Sequence, residues 1–427
     1  MFTRRGFMRS AAGAAAWTLF SRGWEGETAL AADSNTAAKI SGLEVLSLRE
    51  KGGGKGRSFL VVTTDGGVRG VSGELFRDTP DRLRELAPRL RGVLIGEDPQ
   101  RRELCGVRLW SAIFPGRSLE TFAEGRDPLT GDVIWGTRRQ SRHTPTGTIM
   151  MGLSAVDNAL WDLRGKLAGV PVYRLLGGER QSLPVYLSQT PSESLEETCR
   201  RARSYYDQGF HRQKWFLRHG PPDGEAGFRF NVGVVEALRT ELGAEAGLMF
   251  DFAVGGRGRC DWDVPYAIRL AKAIEPFSPY WLEEPFSPEE IESYAQLHKE
   301  TGIPLATGEH TYTRWNIQPF LDRKLVRFVQ CDPEWCGGLS ELLQIAELVR
   351  QYEGVRLIPH GHHCLAAAAA VASQPESLCP MIEYGLWFTR DRQAFQTQVL
   401  VPEAGRLAMP AEPGLGPDLD WDRLEQA

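Results

Sequence analysis

From about residue 183 the chain repeats one unit, a short apolar run followed by a segment of helical spacing. The runs are LPVYLSQ, QKWFL, GLMFD, PYWLE, PLATGE, VRFVQCD, VRLIPH and MIEYG. Strands that alternate with helices form parallel βαβ units, and eight of them close into a (β/α)8 barrel, here with an irregular closing turn. Five successive runs end on a polar group: Asp251, Glu283, Glu309, Asp332 and His360. In such a barrel the C-terminal strand ends meet on one rim, so residues distant in sequence line one site. Asp251, Glu283 and Glu309 would there form a hard oxygen cage for a divalent cation such as Mg²⁺. Asp332 and His360 would supply an oriented acid/base. These features predict an enzyme.

The 427 residues exceed one typical domain and leave room for an accessory domain beside the barrel. Residues 40 to 74 alternate apolar and polar (SGLEVLSL, RSFLVVTT, a DGG turn, VRGVSGEL) and read as an antiparallel meander. Helical spacing follows at 79–92, 98–112 and 152–168, whereas 115–148 is Gly/Thr/Arg-rich without periodicity and reads as an ordered loop near the barrel mouth, carrying His143. The Pro/Gly-rich tail at 395–420 is expected to fold back on the first domain. The division is a leader at 1–31, an α+β capping domain at 32–180, a barrel at 181–390 and a returning segment at 391–427.

A net charge of −5 argues against a nucleic-acid partner, whose footprint is a basic face. The partner expected is a small carboxylate. Thr3-Arg4-Arg5-Gly6-Phe7-Met8 is a twin-arginine pattern, followed by a small apolar stretch and an Ala29-Leu30-Ala31 cleavage site. That stretch is too short to span a bilayer. Export in the folded state, to the periplasm, is the expectation, with the metal loaded before departure. Seven scattered cysteines give no disulfide framework. Cys331 and Cys336 lack the companions a zinc site needs, and Cys336 is expected to fill space beside Gly337-Gly338. The loop Lys51-Gly-Gly-Gly-Lys55-Gly56-Arg57 lacks the GK[ST] ending of a phosphate loop. It reads either as a surface hairpin or as a mobile lid whose Lys51, Lys55 and Arg57 meet an anionic substrate.

The ordered series GLSAVDNALWDLRGKLAGVPVYRLLGG, GLMFDF, WLEEP, LATGEHTYTRW, QCDPEWCGGLSELLQIA, IPHG and PGLG resembles the mandelate racemase branch of the enolase superfamily. Within that branch KWFLRHGPPDGEAGF, GEH and DPEWCGGL are most similar to sugar-acid dehydratases, rhamnonate dehydratases in particular. The resemblance implies an α/β fold, a modified (β/α)8 barrel under an N-terminal α+β cap that the C-terminal tail completes. It implies one Mg²⁺ per subunit on Asp251, Glu283 and Glu309, with Mn²⁺ able to substitute, and a homo-oligomer. Glu284, on the opposite strand face, would point elsewhere. The shared chemistry is removal of the proton α to a carboxylate, with the enediolate stabilised electrostatically.

Asp332 and His360 match the branch's Asp–His dyad. Glu383 matches a glutamate near the substrate carboxylate that, protonated, would donate to the enediolate. Racemases of the branch carry two lysines one residue apart. Here Lys214 takes the first position and Phe216 the second, so two-base racemisation is disfavoured and dehydration by His360 alone remains. Lys214 is then expected against the substrate carboxylate or the ligand network. Ala253 stands where some dehydratases place an acid histidine, and the lid lacks the histidine of rhamnonate dehydratases. His310 is expected to touch substrate, His362 and His363 to be loop residues, and Tyr312 and Arg314 to serve helix-start packing. The reading is a Mg²⁺-dependent dehydratase giving a 2-keto-3-deoxy acid. The alternatives are a one-base epimerase or other lyase of a hydroxy acid, and a non-catalytic sugar-acid binding protein.

Overall fold

Alternating apolar residues over 40–64 form β1 (Ile40–Glu50) and β2 (Arg57–Thr64), which pair antiparallel and are followed by β3 (Arg69–Val71). This computed structural model describes residues 38–76, 78–101, 109, 112–113, 145–252, 262–361, 364–386 and 388–427. The leader, His143, Ala253, His362 and His363 lie outside them. Two helices pack on the meander, α1 (Thr79–Leu94) and α2 (Pro145–Ala168). The latter is already helical at Pro145, earlier than its apolar spacing suggests. The end of the supposed 115–148 loop is therefore helical.

The barrel strands are β4 (Ser182–Gln189), β5 (Arg212–Phe216), β6 (Gly247–Asp251), β7 (Trp281–Glu283), β8 (Leu305–Thr307), β9 (Phe328–Val329), β10 (Arg356–Leu357) and β11 (Ile382–Gly385). They run parallel in the order β10-β9-β8-β7-β6-β5-β4-β11. At the seam the Leu357 N–H donates to the Leu378 carbonyl at 3.0 Å, joining β10 to the segment before β11. The tail returns through β12 (Arg406–Ala408), antiparallel to β4, and β13 (Leu424–Gln426), antiparallel to β1. The cap sheet is thus ordered β13-β1-β2-β3. Among the described residues no helix is long and apolar enough to cross a membrane.

Helix α2 is buried along most of its length because it lies between the cap sheet and the barrel. Its barrel side carries a polar stripe at helical spacing. Ser154 Oγ accepts the Gly337 N–H (3.0 Å), Asp157 Oδ2 that of Ser340 (2.8 Å) and Asn158 Oδ1 that of Leu339 (2.9 Å). Asn158 Nδ2 donates to the Pro333 carbonyl and Trp161 Nε1 to Ser340 Oγ. Five hydrogen bonds thus fix the loop between β9 and the helix Leu339–Val349. Gly338 has φ +94, and a Cβ there would come within 2.5 Å of the Asp157 side chain, so the CGGL motif needs glycine for this docking. The sequence motifs around residues 152–163 and 332–339 are two halves of one interface.

Asp162, one turn on, holds the other junction. Its carboxylate accepts the backbone N–H of Val71 in β3 and of Leu415 in the tail, and pairs with Lys166 at 2.7 Å. Gly414 has φ +95 and no room for a Cβ, which would meet Asp162 Oδ1 at 2.3 Å. This explains the PGLG motif: the tail threads between cap and barrel at a point where only glycine fits.

Candidate active site

Asp251 and Glu283 are the last residues of β6 and β7 and sit side by side in register. Glu309, Asp332 and His360 lie just beyond the short ladders of β8, β9 and β10. One carboxylate oxygen from each of Asp251, Glu283 and Glu309 lies within 4.8 Å of the others. Converging buried carboxylates repel unless positive charge joins them. Lys214 of β5 meets that need in part. Its Nζ, fully buried, reaches Glu283 Oε1 (2.5 Å), Glu383 Oε1 (3.0 Å) and Asp251 Oδ2 (3.1 Å). Burial alone would discharge this ammonium, but Glu283, Glu383 and Asp251 outweigh it and hold the lysine well above its ordinary range. Glu283 is fixed further by Gln330 Nε2 (2.7 Å) and Trp281 Nε1 (3.0 Å) on its second oxygen.

Both Glu383 oxygens accept hydrogen bonds, one from Lys214 and the other from the Tyr186 hydroxyl at 2.7 Å. Lys214 and Tyr186 thus hold Glu383 at the edge of the carboxylate cluster.

The Asp332–His360 pair is formed, with Nδ1 2.5 Å from Oδ2. Asp332 is locked by the Glu334 N–H on its other oxygen and by the Trp335 and Cys336 N–H groups on its carbonyl. Nε2 of His360 faces the carboxylates, 3.8 Å from Glu309 Oε1 and 4.0 Å from Glu383 Oε2. Burial pulls this imidazole down, but Glu309, Glu383 and Asp332 carry it up to about 9. A cation among the carboxylates would cancel much of that field and bring the base back toward neutrality.

A second triplet, Glu284, Glu309 and His310, also lies within 4.8 Å. Glu284, however, already accepts the backbone N–H groups of Gly308 and His310 and sits against His310 Nδ1. Fixed backbone donors already occupy it, and one of its three groups is a ring nitrogen rather than an oxygen. The hard, all-oxygen donor set of Asp251, Glu283 and Glu309 is therefore the one that suits a divalent cation.

The lid cations go elsewhere. Lys51 Nζ donates to the Asp422 carbonyl at 2.7 Å. Arg57 pairs with Glu74 (2.6 Å) and Asp391 (2.8 Å), so it joins the cap to the segment after β11. Lys55 is exposed. Lys51 and Arg57 are thus engaged within the protein, by the tail and by carboxylates of the cap and of the segment after β11. Tyr312 packs in the cap core and the Arg314 N–H meets Glu341, as helix-start residues. Cys336 is buried with Sγ 3.7 Å from the Gly338 carbonyl.

The family descriptions "Enolase C-terminal domain-like" and "Mandelate racemase / muconate lactonizing enzyme, N-terminal domain" match residues 197–423 and 55–177. The chain belongs to the enolase superfamily. The L-rhamnonate dehydratase of Saccharopolyspora erythraea is 30% identical over 338 residues, 76% of this chain and 82% of its own. The 3,6-anhydro-D-galactonate cycloisomerase of Zobellia galactanivorans is 25% identical, covering 91% of this chain and all of that one, with a TM-score of 0.69. A member of the enolase superfamily from Salmonella Typhimurium, 21% identical, covers 90% and 97% with a TM-score of 0.72 and speaks to the fold alone. This enolase-superfamily chain is an enzyme of the lyase class.

Superfamily motifs alone did not single out Tyr186, Trp281, Gln330 or Trp335. Three of them had a signal available. Trp281 and Gln330 stand two residues before Glu283 and Asp332, and Tyr186 is paired in register with Glu383. Period-two alternation puts such residues on the face that carries the acids.

Proposed function

We propose that this enzyme is a Mg²⁺-dependent sugar-acid dehydratase that removes the proton α to the substrate carboxylate and expels the β-hydroxyl. The observation that carries the proposal is the oriented base, His360 Nε2 aimed at the carboxylate cluster with Asp332 fixed behind it. Mg²⁺ held by Asp251, Glu283 and Glu309 would supply positive charge against the substrate carboxylate and so acidify the α-carbon. His360 takes the α-proton at Nε2 while Asp332 holds the Nδ1–H and stabilises the imidazolium. The C–O bond at the β-carbon then breaks, and the proton on Nε2 passes to the departing oxygen, releasing water. The enol left behind becomes a 2-keto-3-deoxy acid, so the net change is loss of one water. Lys214 and Tyr186 keep Glu383 in place beside the reacting carbons. Opposite the base, β5 offers Phe216, which cannot move a proton, so reaction on one face is favoured over racemisation.

The test is a library of sugar acids incubated with the mature protein, with Mg²⁺ and with chelator, read as semicarbazone absorbance. Metal-dependent keto-acid formation from one or a few acids is the expected result. No keto acid and no α-proton exchange into deuterated water, across the library with metal, would sink the proposal. Export is part of it, supported by the twin-arginine segment. Replacing Arg4 and Arg5 by lysine is expected to strand the precursor in the cytoplasm, which cell fractionation would read; unchanged periplasmic yield would refute the route.

A further inference from the structure

Glu284 follows a proposed metal ligand, yet its side chain serves another purpose. Its backbone has φ +39, a conformation uncommon for a non-glycine residue. Oε1 accepts the N–H groups of Gly308 (3.1 Å) and His310 (3.2 Å) and lies 3.4 Å from the Thr307 hydroxyl, while Oε2 meets Nδ1 of the His310 ring. A carboxylate surrounded by donors is an acceptor. Nδ1 of His310 is thus engaged by Glu284, and Nε2 is the ring nitrogen left to face the site.

That Nε2 is buried and has no hydrogen-bond partner among the described residues. It lies 3.9 Å from Glu309 Oε1, the same oxygen that lies 3.8 Å from His360 Nε2. A buried ring nitrogen left unmatched is unfavourable. A fitting occupant is a hydroxyl, which can both donate and accept a hydrogen bond. Trp335 fixes both rings, its indole 6.0 Å from His310 with planes 27° apart and 5.2 Å from His360 with planes 32° apart.

We infer that Glu284 and His310 form a hydroxyl-reading site, in which His310 Nε2 hydrogen-bonds a substrate hydroxyl and Glu284 is its positioning residue. The inference rests on the sugar-acid reading above, since the triad must hold the carboxylate end for a hydroxyl to fall here. It also narrows the substrate: an acid lacking that hydroxyl is a poor one, and a simple 2-hydroxy acid does not satisfy the site.

The experiment takes the best acid from the library and analogues that each lack one hydroxyl beyond the β-carbon, with wild type, His310→Asn and Glu284→Gln. Wild type is expected to disfavour one analogue by roughly 10- to 100-fold in kcat/KM. His310→Asn is expected to raise KM for the parent acid to about that analogue's level and to erase the discrimination, while α-proton exchange persists. Glu284→Gln should move KM the same way, and ¹⁵N spectra should show the His310 ring signals shifted from those of wild type. Absence of discrimination in wild type against every analogue would overturn the inference without any variant having to fold. So would unaltered discrimination in a folded His310→Asn protein. Failure of the dehydratase reading is separate: wild type would then neither form keto acid nor exchange the α-proton.

Discussion

His360→Asn is expected to lower turnover by at least about 10²- to 10⁴-fold, the usual contribution of a placed general base. The loss should fall on kcat with little change in metal affinity, because His360 shares no hydrogen bond with Asp251 or Glu283 and approaches Glu309 only to 3.8 Å. Asparagine keeps a donor for Asp332 Oδ2, so the loop that Ser154, Asp157 and Asn158 fix should survive. Exchange of the α-proton must vanish together with product, since one nitrogen is asked to do both. Retention of exchange with loss of product would move the base elsewhere and leave His360 only the departing oxygen. Full turnover in a metal-loaded variant would end the proposed mechanism.

The second large effect is on stability. Lys214→Met keeps the length of the stem but takes the ammonium from Glu283, Glu383 and Asp251, all buried. Removing one partner of a buried ion cluster costs about 3–5 kcal/mol, because the remaining charges are then uncompensated. Denaturation of the metal-free variant should show a loss of that order. Added Mg²⁺ should restore part of it through Asp251 and Glu283, whereas wild type should respond less. An unchanged midpoint without metal would mean that the carboxylates are not ionised together, and the electrostatic account of the site would fall.

Much of this arrangement could be read from the chain because barrel geometry converts sequence order into position. Once Asp251 and Glu283 were placed at strand ends, their meeting followed from the closed sheet. Asp332 and His360 were legible for the same reason, although β9 and β10 are so short that both residues stand in loops. The partners of the loop's cations were not legible. Lys51 and Arg57 have the charge to meet an anion, but their partners, the Asp422 carbonyl and Asp391, lie more than 300 residues away in sequence, and no periodicity announces such a pairing. Glu284 was read as pointing elsewhere, and where it points depends on a backbone turn at φ +39 that side-chain alternation does not encode. The Asp157–Gly338 contact was hidden similarly, as two motifs legible singly but not as mates.

The pairing of β13 with β1 has a consequence for the order in which the molecule is made. Arg49 and Glu425 are bonded across 376 positions of sequence, and β1 carries the residues that lead into the lid. During synthesis the first three strands emerge early and must wait, one edge open, until almost the whole barrel has been translated. Contacts of such separation slow folding, and an open strand edge invites other chains. Chaperone retention of nascent chains and sensitivity to C-terminal fusions should therefore be pronounced in this protein, and the sheet beneath the lid should be the last part to become resistant to proteolysis.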